Sequence, residues 1–188
     1  MNIEVWNEVG NRIQNPNDAC QFISTLMEKC IDKTFNGLIT AQFTNPPSQI
    51  YDAIAAFYSE CNKKFTVKAI YLEMNGFEIN PDRWYFDLFG YESIPPNDDS
   101  FDWLSEWQSP HYPTITLTGL EPIQELFANY IRNKLYKDPD RAYHEELATL
   151  LVMAKFCKLI ADSLDHKNFA VPVYATAHDF DIIYHRSP

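Results

Sequence analysis

The sequence predicts an α+β fold, with a mostly antiparallel sheet of four to five strands packed by four to five helices. Several segments have apolar residues three and four positions apart, which is typical of amphipathic helices. Between them lie short runs rich in β-branched and aromatic residues, and one such run ends at an Asn-Gly hairpin turn. The 188 residues contain no internal repeat and no Gly/Ser linker, so we expect one domain spanning residues 1–188.

The first elements along the chain are predicted helices. Residues 2–13 and 15–33 both have helical apolar spacing, and the second stretch opens with a turn and a cap signal. Residues 36–44 are ambiguous and compatible with a strand. Residues 45–61 open with two prolines, which suit a helix start. The apolar stripe of this third helix consists of Ile50, Ile54, Phe57 and Cys61.

Two strands are predicted next, at residues 64–74 and 83–92, on either side of the Asn-Gly turn. The second strand has apolar residues on both faces, which indicates a strand inside the sheet that is covered from both sides. Residues 92–112 are rich in Pro, Asp and Ser and form a predicted long excursion. A further strand at 114–119 returns from it.

The second half of the chain is predicted to contain a helix from Pro122 and a long core helix over 139–165. The long helix has apolar residues alternating four and three positions apart along its whole length. Residues 171–185 are then predicted as one extended strand, whose side chains alternate between two faces. One face would carry Tyr174, Thr176, His178, Phe180, Ile182 and Tyr184. The other would carry Asp179, Asp181, Ile183 and His185.

The negative charge of the chain is concentrated in one window. The net charge is −11, and residues 73–110 contribute nine acidic residues against one basic residue, Arg83. The same window holds three of the four tryptophans. Nucleic acids and anionic membranes repel a polyanion, so we expect neither as a partner. A basic protein is the partner class that this charge favours.

Composition also bears on location and on the thiols. The opening residues have no basic stretch followed by an apolar run, so no signal peptide is expected. The longest aliphatic run stops at Lys155 after about eight residues, far short of the ~20 that a membrane-spanning helix needs. We therefore expect a cytoplasmic protein. Its cysteines form no CxxC pair and are expected to be buried free thiols, with zinc binding or disulfide formation as the alternatives. They are Cys20, Cys30, Cys61 and Cys157.

The carboxyl-terminal stretch "HDFDIIYH" suggests a metal or proton-transfer site. On an extended strand, however, His178 faces away from Asp179 and Asp181, and His185 lies ~13 Å beyond Asp181. A metal would then need a ligand from another segment. We expect a solvated acidic strand face and no metal, with general acid/base chemistry as the alternative that stays open.

Other segments resemble metal-binding motifs but lack the residue spacing that those motifs require. His144-Glu145 resembles the start of a helical zinc motif, but Ala148 stands where the second histidine is required, so a polar helix start suffices. Asp98, Asp99 and Asp102 lack the alternate ligands and the glycine of a calcium loop. No nucleophile elbow, phosphate loop or dinucleotide fingerprint occurs in the chain. No cofactor is therefore predicted.

Two functions follow as expectations. The first is a non-enzymatic acidic protein that binds a basic protein partner through an acidic, tryptophan-rich loop, where aromatic anchors supply contact energy. Two alternatives stay open: the rings plug the sheet edge while the acids are solvated, or the same Trp and Asp residues form a carbohydrate or small-ligand cleft. The predicted contact residues are Asp98, Asp99, Asp102, Trp103, Glu106 and Trp107. This profile of an acidic chain with aromatic loops and no catalytic motif is similar to that of bacterial toxin-neutralising immunity proteins.

The second function is a small hydrolase or ligand-binding enzyme. It would use Asp179 and Asp181, together with His178, near a pocket lined by Tyr and Trp. This alternative requires the carboxylates to converge with a third polar group in a concave site. The arrangement of the carboxyl-terminal stretch in space therefore discriminates between the two functions.

Overall fold

The computed structural model of the chain describes residues 2–77, 80, 82–95, 101–165 and 169–188. Over these residues the α+β prediction is confirmed, with six α-helices and one five-stranded sheet. The helices are α1 (Ile3–Arg12), α2 (Pro16–Lys29), α3 (Gly37–Thr40), α4 (Pro47–Asn62), α5 (Glu121–Arg132) and α6 (Pro139–Leu164). The strands are β1 (Ala69–Asn75), β2 (Tyr85–Tyr91), β3 (Ile115–Thr116), β4 (Val173–Ala177) and β5 (Tyr184–Arg186).

The sheet is mixed, although most of its pairings are antiparallel. Its strand order is β3-β2-β1-β4-β5, with β1 at the centre. Strands β1 and β4 run parallel, and the other three pairings are antiparallel. The parallel pair brings together two segments that lie about a hundred residues apart in the sequence, and this pairing positions the candidate site described below.

Helix α6 forms the centre of the core, as its apolar periodicity predicts. It packs against the sheet at β4 and against α2 and α4 on its other sides. Residues 150–154 of α6 are all fully buried, because the helix has neighbours all around it. In the part of the chain that the structure describes, no helix is long and apolar enough to cross a membrane.

The ambiguous stretch at 36–44 contains the short helix α3 rather than a strand. Leu38 points into the core with no exposed surface, and the chain after α3 is extended. The hydrogen bond from Thr44 N to Thr118 O, at 2.8 Å, attaches this extended part to the chain beyond β3. Gly119, which follows Thr118, lies against the same extended part of the chain and has a left-handed φ of +101°. A Cβ atom there would lie 2.6 Å from Gln42 O, so the position requires glycine.

The prediction of one continuous strand over 171–185 is wrong. The chain turns between β4 and β5, with a hydrogen bond from Phe180 N to Ala177 O at 3.2 Å and a left-handed backbone at Asp179 (φ 63°). A single strand of that length would run past the seven-residue β1 and leave backbone groups without partners. The turn instead lets β5 pair with β4, so that His185 faces Tyr174 across the two strands.

The turn also changes which side chains share a face. Tyr184 is buried in the main core, whereas His185 lies on the opposite face of the sheet with Tyr174. The predicted grouping of Tyr184 with Tyr174 is therefore wrong. The rule of alternation holds within each short strand, but it does not continue through the turn.

The four cysteines are free thiols. Cys61 and Cys157 are buried, and Cys20 and Cys30 are partly buried. Burial raises the pKa of Cys20 and of Cys61 to about 11. At neutral pH these two thiols are therefore protonated and weakly nucleophilic.

Candidate functional site

The two faces of the sheet are covered differently. The helices pack on one face, and the other, called the open face here, carries Tyr71, Glu73, Asp87, Phe89 and Tyr174. Residues 101–109, called the cover segment, lie over part of the open face. Their anchors are Trp103 and Leu104, which form a second apolar cluster with rings of the sheet. Ile183, which follows the turn after β4, packs against the same cluster, so short connecting segments and no α-helix cover this side among the described residues.

Trp103 fixes the cover segment to the sheet. Its ring meets those of Tyr91 and Tyr174 edge-on, at centroid distances of 4.9 and 5.4 Å, and the residue is 7% exposed. The Tyr91 hydroxyl donates a hydrogen bond of 2.6 Å to Leu104 O. Ser109 Oγ accepts a bond of 3.0 Å from Gly90 N. The segment is thus held at both ends, which gives a loop a defined position.

A cleft of about 630 Å³ lies between the cover segment and the turn that follows β4. We call it the sheet-face cleft. Its apolar walls include Tyr71, Phe89 and Trp107. Its ionisable residues are Glu73, Asp102, His178 and Asp181. No lysine or arginine lines it within the described ranges 2–77, 82–95, 101–165 and 169–188, so its walls carry negative charge.

Two carboxylates on the open face lie opposite each other. Glu73 of β1 and Asp87 of β2 are cross-strand partners, and like charges in that position repel. Burial, and then the Glu73 carboxylate, raise the pKa of Asp87 above its ordinary value. Asn75 Nδ2 donates a hydrogen bond of 3.0 Å to Asp87 and offsets part of this cost. A cation placed between the two carboxylates would relieve the repulsion.

Glu73 is also the centre of a hydrogen-bonded group. The Tyr71 hydroxyl donates to Glu73 Oε2 at 3.0 Å, and His178 Nδ1 lies 2.6 Å from Glu73 Oε1. The hydrogen bond to Glu73 raises the pKa of His178, against a smaller opposing effect of burial. Burial raises the pKa of the Tyr71 phenol, so this group is a donor and not a base.

Sequence reasoning missed Glu73 as a site residue. Glu73 and His178 meet because β1 and β4 pair in parallel, with Met74 opposite Ala177. This pairing cannot be derived from the local pattern. The available signal was a glutamate between Leu72 and Met74 in a strand that is otherwise buried. A charged residue at such a position needs a partner or a function.

The residues predicted for partner binding have different surroundings. Asp98 and Asp99 lie outside the described residues. Asp102 lines the sheet-face cleft, Glu106 is exposed, and Trp103 is buried. Trp107 is 50% exposed, and its ring centroid lies 4.8 Å from that of Phe89. Of the two tryptophans in this segment, Trp107 is the one that a partner can reach.

The carboxyl-terminal cluster is brought together only in part. The turn places His178 Nε2 3.5 Å from Asp179 Oδ1, and Asp181 lines the sheet-face cleft. His185 lies elsewhere, stacked on Tyr174 at 5.9 Å. Among the residues that the structure describes, no three His, Cys, Asp or Glu side chains form a group suited to a metal ion.

His144 has a structural role that its sequence context did not suggest. The interpretation of 144–146 as a polar helix start is wrong for this residue, because His144 has no exposed surface. Its Nδ1 atom lies 3.0 Å from Asp32 Oδ1, and its ring packs edge-on against Phe35 at 5.8 Å. Asp32 also pairs with Arg141 at 3.6 Å. These contacts attach the start of α6 to the chain after α2.

The serine and threonine hydroxyls in the cleft donate hydrogen bonds to the backbone. Ser105 Oγ donates to Asp102 O at 2.8 Å, and Thr176 Oγ1 donates to Ile182 O. Neither bonds to His178, so these two hydroxyls do not form a nucleophile–base pair with it. The cleft therefore offers negative charge and aromatic surface, which suit the binding of a cationic side chain.

Searches with this chain against protein-family models, curated proteins and solved structures gave no match. A function inferred by likeness to a relative is thus not supported. The functional argument comes from the residues of the open face and from their charges.

The ion pair of His178 makes a pH-dependent prediction. We expect the imidazole to titrate above its ordinary value of 6.5, because the Glu73 carboxylate stabilises the charged form. Its contribution to stability is then complete below 6.5 and is lost as pH rises through the folded-state pKa. Nuclear magnetic resonance titration of the His178 ring protons measures this value. In Glu73→Gln the pKa should fall towards 6.5, and an unchanged pKa would contradict the assignment.

Proposed function

We propose that this protein binds a basic protein partner and seats an arginine or lysine side chain of that partner in the sheet-face cleft. The observation that carries the proposal is the position of Glu73, which lines the cleft and lies directly opposite Asp87 on the open face. Such a pair costs stability in the unbound protein. A cation from a partner would remove this cost, which favours the complex.

Aromatic groups beside the carboxylates support a cationic occupant. Phe89 and Trp107 form a ring pair at the cleft, and Trp107 is half exposed. A guanidinium or ammonium over an aromatic face gains about 0.5–2 kcal/mol, and more of it when water is excluded. Exposed tryptophans next to a pocket are also typical anchors of protein interfaces. Trp107 is therefore the proposed aromatic anchor.

The distribution of negative charge along the chain also supports a basic protein partner. The window 73–110 carries −8 of the net charge of −11, from nine acidic residues and Arg83. Arg83 is held at the start of β2, where its Nε donates to Thr116 Oγ1 at 2.8 Å. A concentrated negative field speeds encounter with a basic protein and weakens as salt is added. Capture should thus be strongest at low ionic strength.

Affinity capture with a matched variant tests the proposal. Wild-type and Trp107→Ala protein would be immobilised, exposed to an extract of the native host, and the retained proteins identified by mass spectrometry. We expect a basic protein on the wild type and at least about tenfold less of it on Trp107→Ala. Ile31→Ala serves as control, since Ile31 is a large apolar residue just after α2 and is 82% exposed. Retention that is equal on all three proteins would contradict the proposal.

The Asp87 carboxylate gives a second, independent prediction. Asp87→Asn should raise the free energy of unfolding at pH 7 by about 0.5–1 kcal/mol, because it removes a like-charge cross-strand pair. A carboxyl whose pKa is raised on folding costs stability only where it is ionised, so the gain should vanish at acid pH, where it is protonated in both states. Denaturant titrations at pH 7 and pH 3 measure both values.

The same variant should bind the basic partner more weakly, so that stability and binding change in opposite directions. Asp52→Asn is the control, because Asp52 is exposed on α4 and lies away from the open face. A loss of stability in Asp87→Asn at pH 7 would show that the pair is not repulsive. The central observation of the proposal would then be wrong.

A second candidate function, the small hydrolase, is favoured by one observation. His178 is hydrogen-bonded to Glu73 and lies close to Asp179, as a general base with an orienting carboxylate would. We propose it as the alternative, with His178 activating water. Hydrolysis of ester or amide substrates that is lost in His178→Asn would support it. Substrate turnover unchanged in His178→Asn would eliminate it.

A further inference from the structure

A second and larger cavity lies at the edge of the sheet, away from Trp107. It occupies about 900 Å³ between the start of α1, the first turns of α6, and the turns that follow β1 and β4. We call it the edge cavity. Pockets of roughly 300–1,000 Å³ are the usual size for small-molecule sites, and such sites are mostly apolar with a few placed polar groups. The edge cavity fits both criteria.

The aromatic wall of the edge cavity is held in place by the core. Phe180 lies 5.1 Å from Trp6 and is stacked on Phe77 at 6.1 Å between ring centroids. Phe77 in turn packs against Trp84 and Phe127, each at 5.5 Å. Trp84 and Phe127 are buried, so the wall has a fixed backing. A ligand would therefore meet ring faces that need little ordering on binding.

Most of the ionisable residues around the edge cavity are acidic. Glu145, Glu146 and Asp179 line it, together with His178, and no lysine or arginine does so among the described residues. The carboxylates already have contacts: Thr149 Oγ1 donates to Glu145 at 2.8 Å, and Asn2 N donates to Glu146. An ionised carboxylate offers about four acceptor positions, so each still attracts a nearby cation. Anionic ligands such as nucleotides are disfavoured here.

We infer that the edge cavity is a binding site for a small organic cation, an ammonium group on an aromatic or aliphatic body. The body packs against Trp6, Phe77 and Phe180, and the ammonium faces the carboxylates of α6 and of the turn after β4. Aromatic faces and carboxylates together select a cation with apolar surface over a neutral or anionic compound of equal size. The edge cavity shares His178 and Phe180 with the sheet-face cleft, but its carboxylates are different ones, and the inference does not depend on the proposed function.

Three compounds of matched shape test the inference: phenethylammonium, 2-phenylethanol and 3-phenylpropionate. Binding to the full chain would be followed by chemical-shift changes in ¹H–¹⁵N spectra. We expect the ammonium to shift resonances of Trp6, Phe77 and Phe180. The alcohol should bind at least about tenfold more weakly, and the carboxylate should show no saturable shifts. Equal affinity for all three, or no shifts at millimolar concentration, would overturn the inference.

Variants separate the role of charge from that of shape. Glu145→Gln/Glu146→Gln keeps the size of both residues and one acceptor oxygen of each, and should reduce the preference for the ammonium over the alcohol, with the Asp179 carboxylate accounting for any preference that remains. Trp6→Ala should lower the affinity for phenethylammonium at least about tenfold. The circular dichroism spectrum of this variant would show whether the fold is retained. Trp107→Ala, in the other cleft, should leave ammonium binding unchanged. A preference that is undiminished in the double glutamine variant would contradict the assignment of charge.

Discussion

Glu73→Lys is expected to lower the affinity for the basic partner at least about 100-fold. The change removes the carboxylate at the centre of the sheet-face cleft. It also places an ammonium beside His178, at the position where the cationic side chain of the partner would bind. Truncating one member of a buried charged pair commonly costs about 2–5 kcal/mol, and reversing its sign adds repulsion. Titration calorimetry with the purified partner, at fixed ionic strength, measures the loss.

The fold should survive this change, because the introduced lysine would lie opposite Asp87 and form a favourable cross-strand pair. Glu28→Lys is the matched control. It makes the same change in net charge at an exposed position of α2, on the helical side. A loss of affinity that is the same in both variants would mean that only the total charge matters. The cleft would then have no specific role.

Phe127→Ala should be the most damaging single truncation in the core, with a loss of about 3–5 kcal/mol in the free energy of unfolding. Phe127 of α5 has no exposed surface. Its ring lies 4.8 Å from Phe35, 5.5 Å from Phe77 and 5.7 Å from Trp84. Removing it leaves a cavity at the point where α5 contacts the turn after β1, and rings on all sides lose their contacts.

Chemical denaturation of the two proteins measures this loss. Ile31→Ala is the control, because an 82% exposed side chain should change stability by no more than about 0.5 kcal/mol. Since Phe77 packs against Phe127, the Phe127→Ala variant should also lower the affinity of ligands for the edge cavity. A loss below about 1 kcal/mol would show that the aromatic cluster can collapse around the missing ring, and that the wall of the edge cavity is not rigid.

The elements that the sequence predicts well are those with a local cause. The long helix α6 has a repeating apolar pattern. Strands β1 and β2 pair antiparallel as predicted, although residues 76–84 connect them instead of a two-residue Asn-Gly turn. The prediction that β2 lies inside the sheet is also confirmed, but its cover is unequal: Phe86 is in the main core, whereas Asp87 and Phe89 on the open face are only partly buried. Each of these inferences uses residues close together in the chain.

The features that the sequence did not predict arise from long-range contacts. The parallel pairing of β1 with β4 creates the Glu73–His178 contact across 105 positions, and no local pattern contains it. The turn after β4 depends on the length of β1, which limits how far β4 can be paired. The difference in exposure between Trp103 and Trp107 could not be predicted for a similar reason. Spacing did not reveal that Trp103 fits between Tyr91 and Tyr174 while Trp107 stays half exposed.

Photo-cross-linking from position 107 tests the central claim most directly. A benzoylphenylalanine would replace Trp107 in one variant and Ile31 in another, and the linked peptides would be sequenced by mass spectrometry. If the open face is the binding surface, position 107 will link to a partner peptide that contains arginine or lysine, and position 31 will not. Linkage from position 31 alone would place the partner on the helices and contradict the account.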